Sequence, residues 1–349
     1  MTMRTIGRGA NSNVTGRFEN SITEIEKTDV VDEEVSLLRT QFFVDASRTI
    51  VTENDSPDIG FRYSMNFYRG CEHGCAYCYA RPTHEYLGLS AGIDFESKIF
   101  VKENAPTLLR ERLMSRTWKP ECIHISGITD CYQPAERRYE LTRKCLMVLA
   151  EFRNPVSLIT KNQLITRDVD VLRELAAGDL VSTCLSVTTL DTQLGRALEP
   201  RTSSPSARLR AIETLAKAGI PVGVNVAPLI PGLTDRELPR ILKAARDAGA
   251  QSAGYTLLRL PYSVKDIFSE WLEKNRPLAK EKVLHQVRDV RDGKLNDPEF
   301  GSRMRGAGAT ADNIRNLFQV FTTKYGFGQR SRTLRTDLFQ RPGEQLRMF

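Results

Sequence analysis

The chain has 349 residues, enough for one large domain or two modest ones, because α/β barrels alone commonly run past about 200. An apolar share of 40% and a charged share of 27% are ordinary for a globular protein, and no apolar run approaches the ~18 residues of a membrane span, so no membrane partner is expected. The formal net charge of +7 is uneven: residues 301–349 carry nine Lys/Arg against three carboxylates, which is +6 of the total.

Residues 1–60 read as an irregular lead-in rich in Asn, Thr, Ser and charge. Met1 to Gly16 holds Arg4 and Arg8 but no apolar core, so it does not read as a signal peptide. From residue 61 to about 262, short β-rich runs alternate with helical ones. The first run, Phe61–Phe67, leads straight into a stretch from Tyr68 to Tyr79 in which Cys71, Cys75 and Cys78 form a C-x3-C-x2-C cluster. Three thiolates within eight residues can hold three irons of a cubane and leave the fourth iron without a protein ligand. Clusters that only carry electrons usually have four cysteines. An open iron suits a substrate or cosubstrate, and therefore an enzyme. The alternative is a non-enzymatic metal-binding module, with His73 or His84 completing a Cys3His zinc site; it gives Gly70, Gly74 and the flanking tyrosines no role. Seven cysteines, three of them this close together, make no disulfide framework and fit a reducing cytoplasm.

The later β-rich runs are Cys122–Thr129, Pro155–Thr160, Leu180–Thr188, Pro221–Ala227 and Ser252–Leu258. Between them lie helical faces such as Val169, Leu172 and Leu175, closed by Gly178, and Leu209, Ile212 and Leu215, closed by Gly219. Thr234-x-x-Glu237 has the form of a capping box before Leu238, Ile241 and Leu242. Strands alternating with helices predict a parallel sheet of βαβ units, and periodicity alone fits a doubly wound sheet or a partial barrel. Cys122, Cys145 and Cys184 fall on core positions, and His124 on a packing or barrel-lining one. Residues 263–349 read as a helical extension, with Thr310–Tyr325 its last docked helix, ending in the basic tail.

The cysteine spacing, with Tyr77 directly before the third cysteine, resembles the radical S-adenosylmethionine (SAM) superfamily. The resemblance implies a 4Fe-4S cluster on Cys71, Cys75 and Cys78. SAM would chelate its open iron and be cleaved by one electron to methionine and a 5′-deoxyadenosyl radical, which abstracts hydrogen from a substrate. It implies an external electron donor of flavodoxin or ferredoxin type. It also implies an α/β fold, a partial (β/α)6 TIM barrel, with the chemistry at the C-terminal ends of the strands, where the cysteine run falls.

The stretch from Thr129 to Glu136 (T-D-x-Y-Q-P-x-E), the strand end at Lys161, Ser186-x-Thr188-Thr189 and Glu199-Pro-Arg201 resemble the spore photoproduct lyase-like branch, often labelled DNA repair photolyases. Carried over, that likeness implies SAM contacts from Tyr77, Tyr79, Thr129, Asp130, Lys161 and Ser186; Arg201 is a further candidate contact, and by their chemistry Pro228 to Gly232 can offer backbone groups and an apolar face to adenine. One position departs: where the lyase has a hydrogen-donating cysteine before its Ser-Asp pair, this chain has Ile128, while Cys131 follows the pair. An aliphatic side chain cannot return a hydrogen atom as a thiol does, which argues against literal lyase activity. The branch and the basic tail point to a nucleic-acid substrate; a peptide or small metabolite is the alternative.

Overall fold

The six β-rich runs become six parallel neighbours in one sheet. The structure, a computed structural model, describes residues 7–18, 39–328 and 333–343. In chain order the strands are β1 (Gln41–Val44), β2 (Val51–Glu53), β3 (Tyr63–Met65), β4 (Tyr68–Arg69), β5 (Lys98–Val101), β6 (Ile123–Ile125), β7 (Val156–Thr160), β8 (Val181–Ser186), β9 (Val222–Leu229) and β10 (Ser252–Leu257). The larger sheet runs β10-β9-β8-β7-β6-β3-β2, parallel throughout except for the antiparallel β2–β3 edge.

Alternation along these strands separates two faces. In β8, Val181, Thr183 and Leu185 are buried, while Ser182 and Cys184 are half-buried. The buried face packs on the crossover helices Leu141–Glu151, Val169–Ala177, Pro205–Lys217 and Leu238–Asp247 through residues such as Leu146, Leu172, Ile212 and Ile241. The other face looks into the barrel and is polar: His124, Ser157 and Ser182 stand in register across β6, β7 and β8. His124 there stacks on Phe61 (ring centroids 4.2 Å apart) and bonds Ser157 through Nδ1 at 2.9 Å. Of the three cysteines expected in the core, Cys145 is buried against the helices, whereas Cys122 and Cys184 are half-buried.

Three features depart from sequence expectation. First, β1 and β5 pair in parallel, and β5 carries β4 antiparallel, in a separate three-stranded sheet. β1 shows no period because its residues are exposed or half-buried throughout. Second, Thr234 and Glu237 do not form a capping box: Thr234 Oγ1 accepts from the Ile230 amide (2.9 Å), and Glu237 reaches Thr189 Oγ1 (2.6 Å) and the Leu190 amide (2.9 Å). Third, the described part of the tail, 333–343, docks against the body. The Arg335 amide donates to Asp179 O (3.1 Å) and the Gln340 amide to Phe152 O (2.9 Å). Arg341 donates to Ser115 O (3.1 Å) and Trp118 O (3.2 Å), and Leu338 and Phe339 pack on the core. Phe152 and Asp179 precede β7 and β8, so this tail lies at the N-terminal ends of the strands. Arg330, Arg332 and Arg347 lie outside the described residues.

Candidate active site

The cysteine loop leaves β4 at the C-terminal side of the sheet and is held from several directions. Gly70 and Gly74 take left-handed backbone (φ 83° and 64°), where glycine is favoured. A Cβ on Gly74 would stand 2.5 Å from Glu96 Oε2, and one on Gly70 would stand 2.9 Å from Phe95 O. Arg81 is fully buried; its Nε donates to Cys75 O (2.9 Å), its Nη1 to Ala91 O (3.1 Å) and Gly92 O (2.9 Å), and its Nη2 to Glu96. The Glu96 carboxylate also accepts from the amides of Gly9 (3.0 Å) and Ala10 (2.8 Å), which ties the N-terminal strap to the loop. A buried ion pair is stable only with such complete hydrogen bonding. Gln133, in the segment that follows β6, clasps the loop, accepting from the Glu72 amide (2.8 Å) and donating to Gly70 O (3.2 Å).

Cys71 and Cys75 are buried, Cys78 is half-buried, and all three are free thiols. Burial pushes all three thiols above their ordinary pKa, and Cys71 is pushed further by Asp130, Cys78 and Cys75. Such soft donors suit iron or zinc. The histidines do not complete a zinc site: His73 sets Nδ1 3.4 Å from Asp130 Oδ2 and Nε2 3.2 Å from Asn162 Nδ2, and His84 turns Nε2 to Lys98 O (2.9 Å). Among the described residues, no three His, Cys, Asp or Glu side chains converge on one ion position. A cubane instead spreads three thiolates over three irons, so the donor set fits a cluster better than a single zinc ion.

Asp130 stands at the end of β6 with its carboxylate fully engaged. It accepts from Thr160 Oγ1 (2.6 Å), the Lys161 amide (2.8 Å) and the Tyr132 amide (2.9 Å). Burial alone would raise its pKa; His73, Thr160 and the Lys161 amide reverse this and hold it at about 2. Thr129 is buried and donates to Tyr68 O (2.9 Å). Ser186 is buried at the end of β8, where its carbonyl accepts from Arg208 (3.0 Å). Arg201 pairs with Glu72 (3.2 Å) and reaches Thr40 Oγ1 (3.2 Å). Tyr77 sets its ring in an apolar cluster with Leu198, Ile230 and Leu258, while its hydroxyl donates to Glu199. Tyr79 is half-exposed, and its hydroxyl donates to Gly127 O (2.6 Å). Lys161 differs from all of these. Its ammonium makes no hydrogen bond or ion pair among the described residues, and its charge acts on Cys75, Cys78 and Glu199.

The stretch from Thr129 to Glu136 is therefore mainly scaffold. Tyr132 OH donates to Asp168 (3.1 Å), and Glu136 accepts from Tyr68 OH (2.6 Å), the Thr142 amide (3.0 Å) and Arg167 (2.9 Å). Ile128 is 45% exposed, whereas Cys131 is buried. Glu199 and Arg208 stand in stretches that carry the branch likeness, but their pairing was not foreseen: they form a buried pair under the loop that also takes Thr188 Oγ1 (2.6 Å). Arg81 and Gly9 were missed, since nothing in their spacing marks them, and Gln133, though part of the Thr129 to Glu136 motif, was given no role of its own.

A family model of the radical SAM superfamily matches residues 65–245. An uncharacterised protein of Mycobacterium tuberculosis is 39% identical over 250 residues, covering 71% of this chain and 72% of that one. One of Methanocaldococcus jannaschii is 30% identical over 178 residues, covering 51% and 64%. Among solved structures, spore photoproduct lyase complexed with dinucleoside spore photoproduct superposes with a TM-score of 0.61 at 17% identity, over 81% of this chain and 79% of that chain. A variant of that lyase with bound AdoMet and dinucleoside spore photoproduct gives 0.59 at 17% identity, over 81% and 78%. The structural likeness is one of fold, and it resolves the choice that periodicity left open in favour of the partial barrel.

Proposed function

The chain belongs to the radical SAM superfamily and is an enzyme, and we propose that Cys71, Cys75 and Cys78 hold its 4Fe-4S cluster, that SAM lies between that cluster and Lys161, and that the substrate is nucleic acid. A cluster so held supplies the electron, taken from a flavodoxin- or ferredoxin-type donor, that splits SAM into methionine and a 5′-deoxyadenosyl radical able to take hydrogen from the substrate. Lys161 carries the reading. A half-buried ammonium whose charge acts on Cys75 and Cys78, with no acid paired to it among the described residues, is free to take an anion. The SAM carboxylate is such an anion. Asp130 positions Lys161 by holding its amide, and Arg81 and Gln133 hold the loop at a fixed distance from it. Support for nucleic acid comes from the similar fold of spore photoproduct lyase, solved with a dinucleoside photoproduct, and from the polar barrel interior.

The test is anaerobic reconstitution followed by metal analysis and SAM turnover. Wild type should take up iron and sulfide and, once reduced, release 5′-deoxyadenosine and methionine. Lys161→Ala should keep the iron and bind SAM roughly ten- to a hundredfold more weakly, the usual effect of losing a charged hydrogen bond. Unchanged SAM affinity would remove Lys161 from the site. Stoichiometric zinc with no iron would end the enzyme reading.

A further inference from the structure

A partial barrel has an open side, here between the edge strands β10 and β2. The short helix Ser302–Arg305 packs along β10 at this opening. A cavity of about 360 Å³ lies there, lined by Cys184, Asn225, Gly254 and Thr256 from the barrel wall and by Arg305 across the edge. That volume is in the range of small-molecule and cofactor sites, about 300–1,000 Å³.

Four arginines crowd the opening, and two are fully used. Arg303 forks onto Asp58, with Nε at 2.6 Å, and bridges the open side. Arg291 is buried and donates to the carbonyls of Leu257, Leu258, Ser302 and Arg303. Arg259, two residues beyond β10, is not so provided for. Its Nη1 meets only Met304 Sδ (3.5 Å), and its Nε is buried with no acceptor. No carboxylate among the described residues pairs with it. Burial, and then the charge of Arg303, lower its pKa against the opposing pull of Tyr79, Asp58 and Asp297. Arg305, next to Met304, is exposed, lies 4.2 Å over the Tyr255 ring and likewise has no acidic partner among the described residues. Arg259 in turn lies 5.5 Å from the ring centroid of Tyr79, which is 49% exposed and directly follows Cys78.

We propose that Arg259 and Arg305, with the ring of Tyr79, form a subsite that holds a phosphodiester of the nucleic-acid substrate at the open side of the barrel. The inference rests on the nucleic-acid reading above and specifies which residues grip the substrate. Guanidinium forks match phosphate oxygens in pairs, and an exposed ring beside an arginine offers a base a stacking face. The position also fits: an anion on Arg259 places the adjoining sugar and base beside the cysteine loop, where the radical would form.

The test uses the full-length, cluster-loaded protein with SAM but no reductant, so that binding is read without turnover. The probe is a fluorescein-labelled single-stranded oligodeoxynucleotide, compared with its uncharged methylphosphonate counterpart. Wild type should prefer the phosphodiester. Arg259→Gln and Arg305→Gln should each weaken it about tenfold or more and lower the salt slope by about 0.7 for each phosphate no longer gripped. Tyr79→Leu should weaken both probes alike. Iron content and thermal midpoint monitor folding, and Arg305→Gln, at an exposed position, keeps the test decisive if Arg259→Gln misfolds. Equal binding of the two probes, no binding by wild type, or an Arg305→Gln variant that binds as wild type does would overturn the subsite. Wild type that fails to cleave SAM would instead count against the proposed function; intact cleavage with unchanged binding in the variants would count against this inference alone.

Discussion

Replacing Asp130 by Asn keeps the shape of the side chain and removes its charge, so it isolates what the carboxylate does. Four groups converge on it: Thr160 Oγ1, the amides of Lys161 and Tyr132, and His73 Nδ1. A carboxyl ordinarily at 3.8 but held at about 2 in the fold corresponds to about 2 kcal/mol of stability at neutral pH. The sign follows from the depressed folded value. The contribution is complete above the unfolded pKa, so from about pH 5 upward, and is lost as pH falls towards the folded value near 2. Urea unfolding of wild type and Asp130→Asn should therefore differ by about 2 kcal/mol at pH 7 and by roughly half that at pH 3. An equal gap at both pH values would show that geometry, not charge, makes the difference. No gap at pH 7 would mean that the carboxylate is dispensable to the fold. SAM affinity should also fall in this variant, but through displacement of Lys161, and less than in Lys161→Ala.

Alanine at Cys71, Cys75 or Cys78 should abolish stable iron–sulfur assembly, because two thiolates cannot hold the cube, while alanine at Cys122, Cys145 or Cys184 should leave iron near wild type; iron and sulfide analysis decides. Gly9→Ala would place a Cβ 1.6 Å from Gly74 O. Displacing the strap from Glu96 should cost about 1–3 kcal/mol and speed cluster loss in air, measured by unfolding and by bleaching. Truncation after Gly328 removes Leu338 and Phe339 from the core and should lower stability by about 2–4 kcal/mol. It should leave the salt dependence of nucleic-acid binding unchanged, since the described tail docks at the opposite ends of the strands; a flatter slope would make the tail part of the grip.

The barrel strands were legible because a strand buried against helices on one face and open to the barrel on the other must alternate, as β8 does over Val181–Ser186. The cysteines were legible because three ligands of a cluster can come from one turn of chain. What escaped is the meeting of residues far apart in sequence. Tyr77, Thr188, Glu199 and Arg208 converge under the loop from three separate segments, and no local pattern announces it.

Direction is equally invisible in a sequence. Asp130, Gln133 and Glu136 share one motif, yet their polar atoms are spent on backbone amides, Tyr68 and Arg167. A carboxylate that satisfies a buried amide looks, as a letter, like one that meets a ligand. Net charge has the same limit. It weights the tail, where Arg335 pairs with Asp337 (2.6 Å) and Arg341 caps carbonyls. It takes no notice of Arg259, a single arginine in a nearly neutral stretch. What separates them is the supply of acceptors around each guanidinium. A cation surrounded by carbonyls and acids belongs to the fold; one left half-buried beside the cysteine loop without them is the better candidate for a ligand.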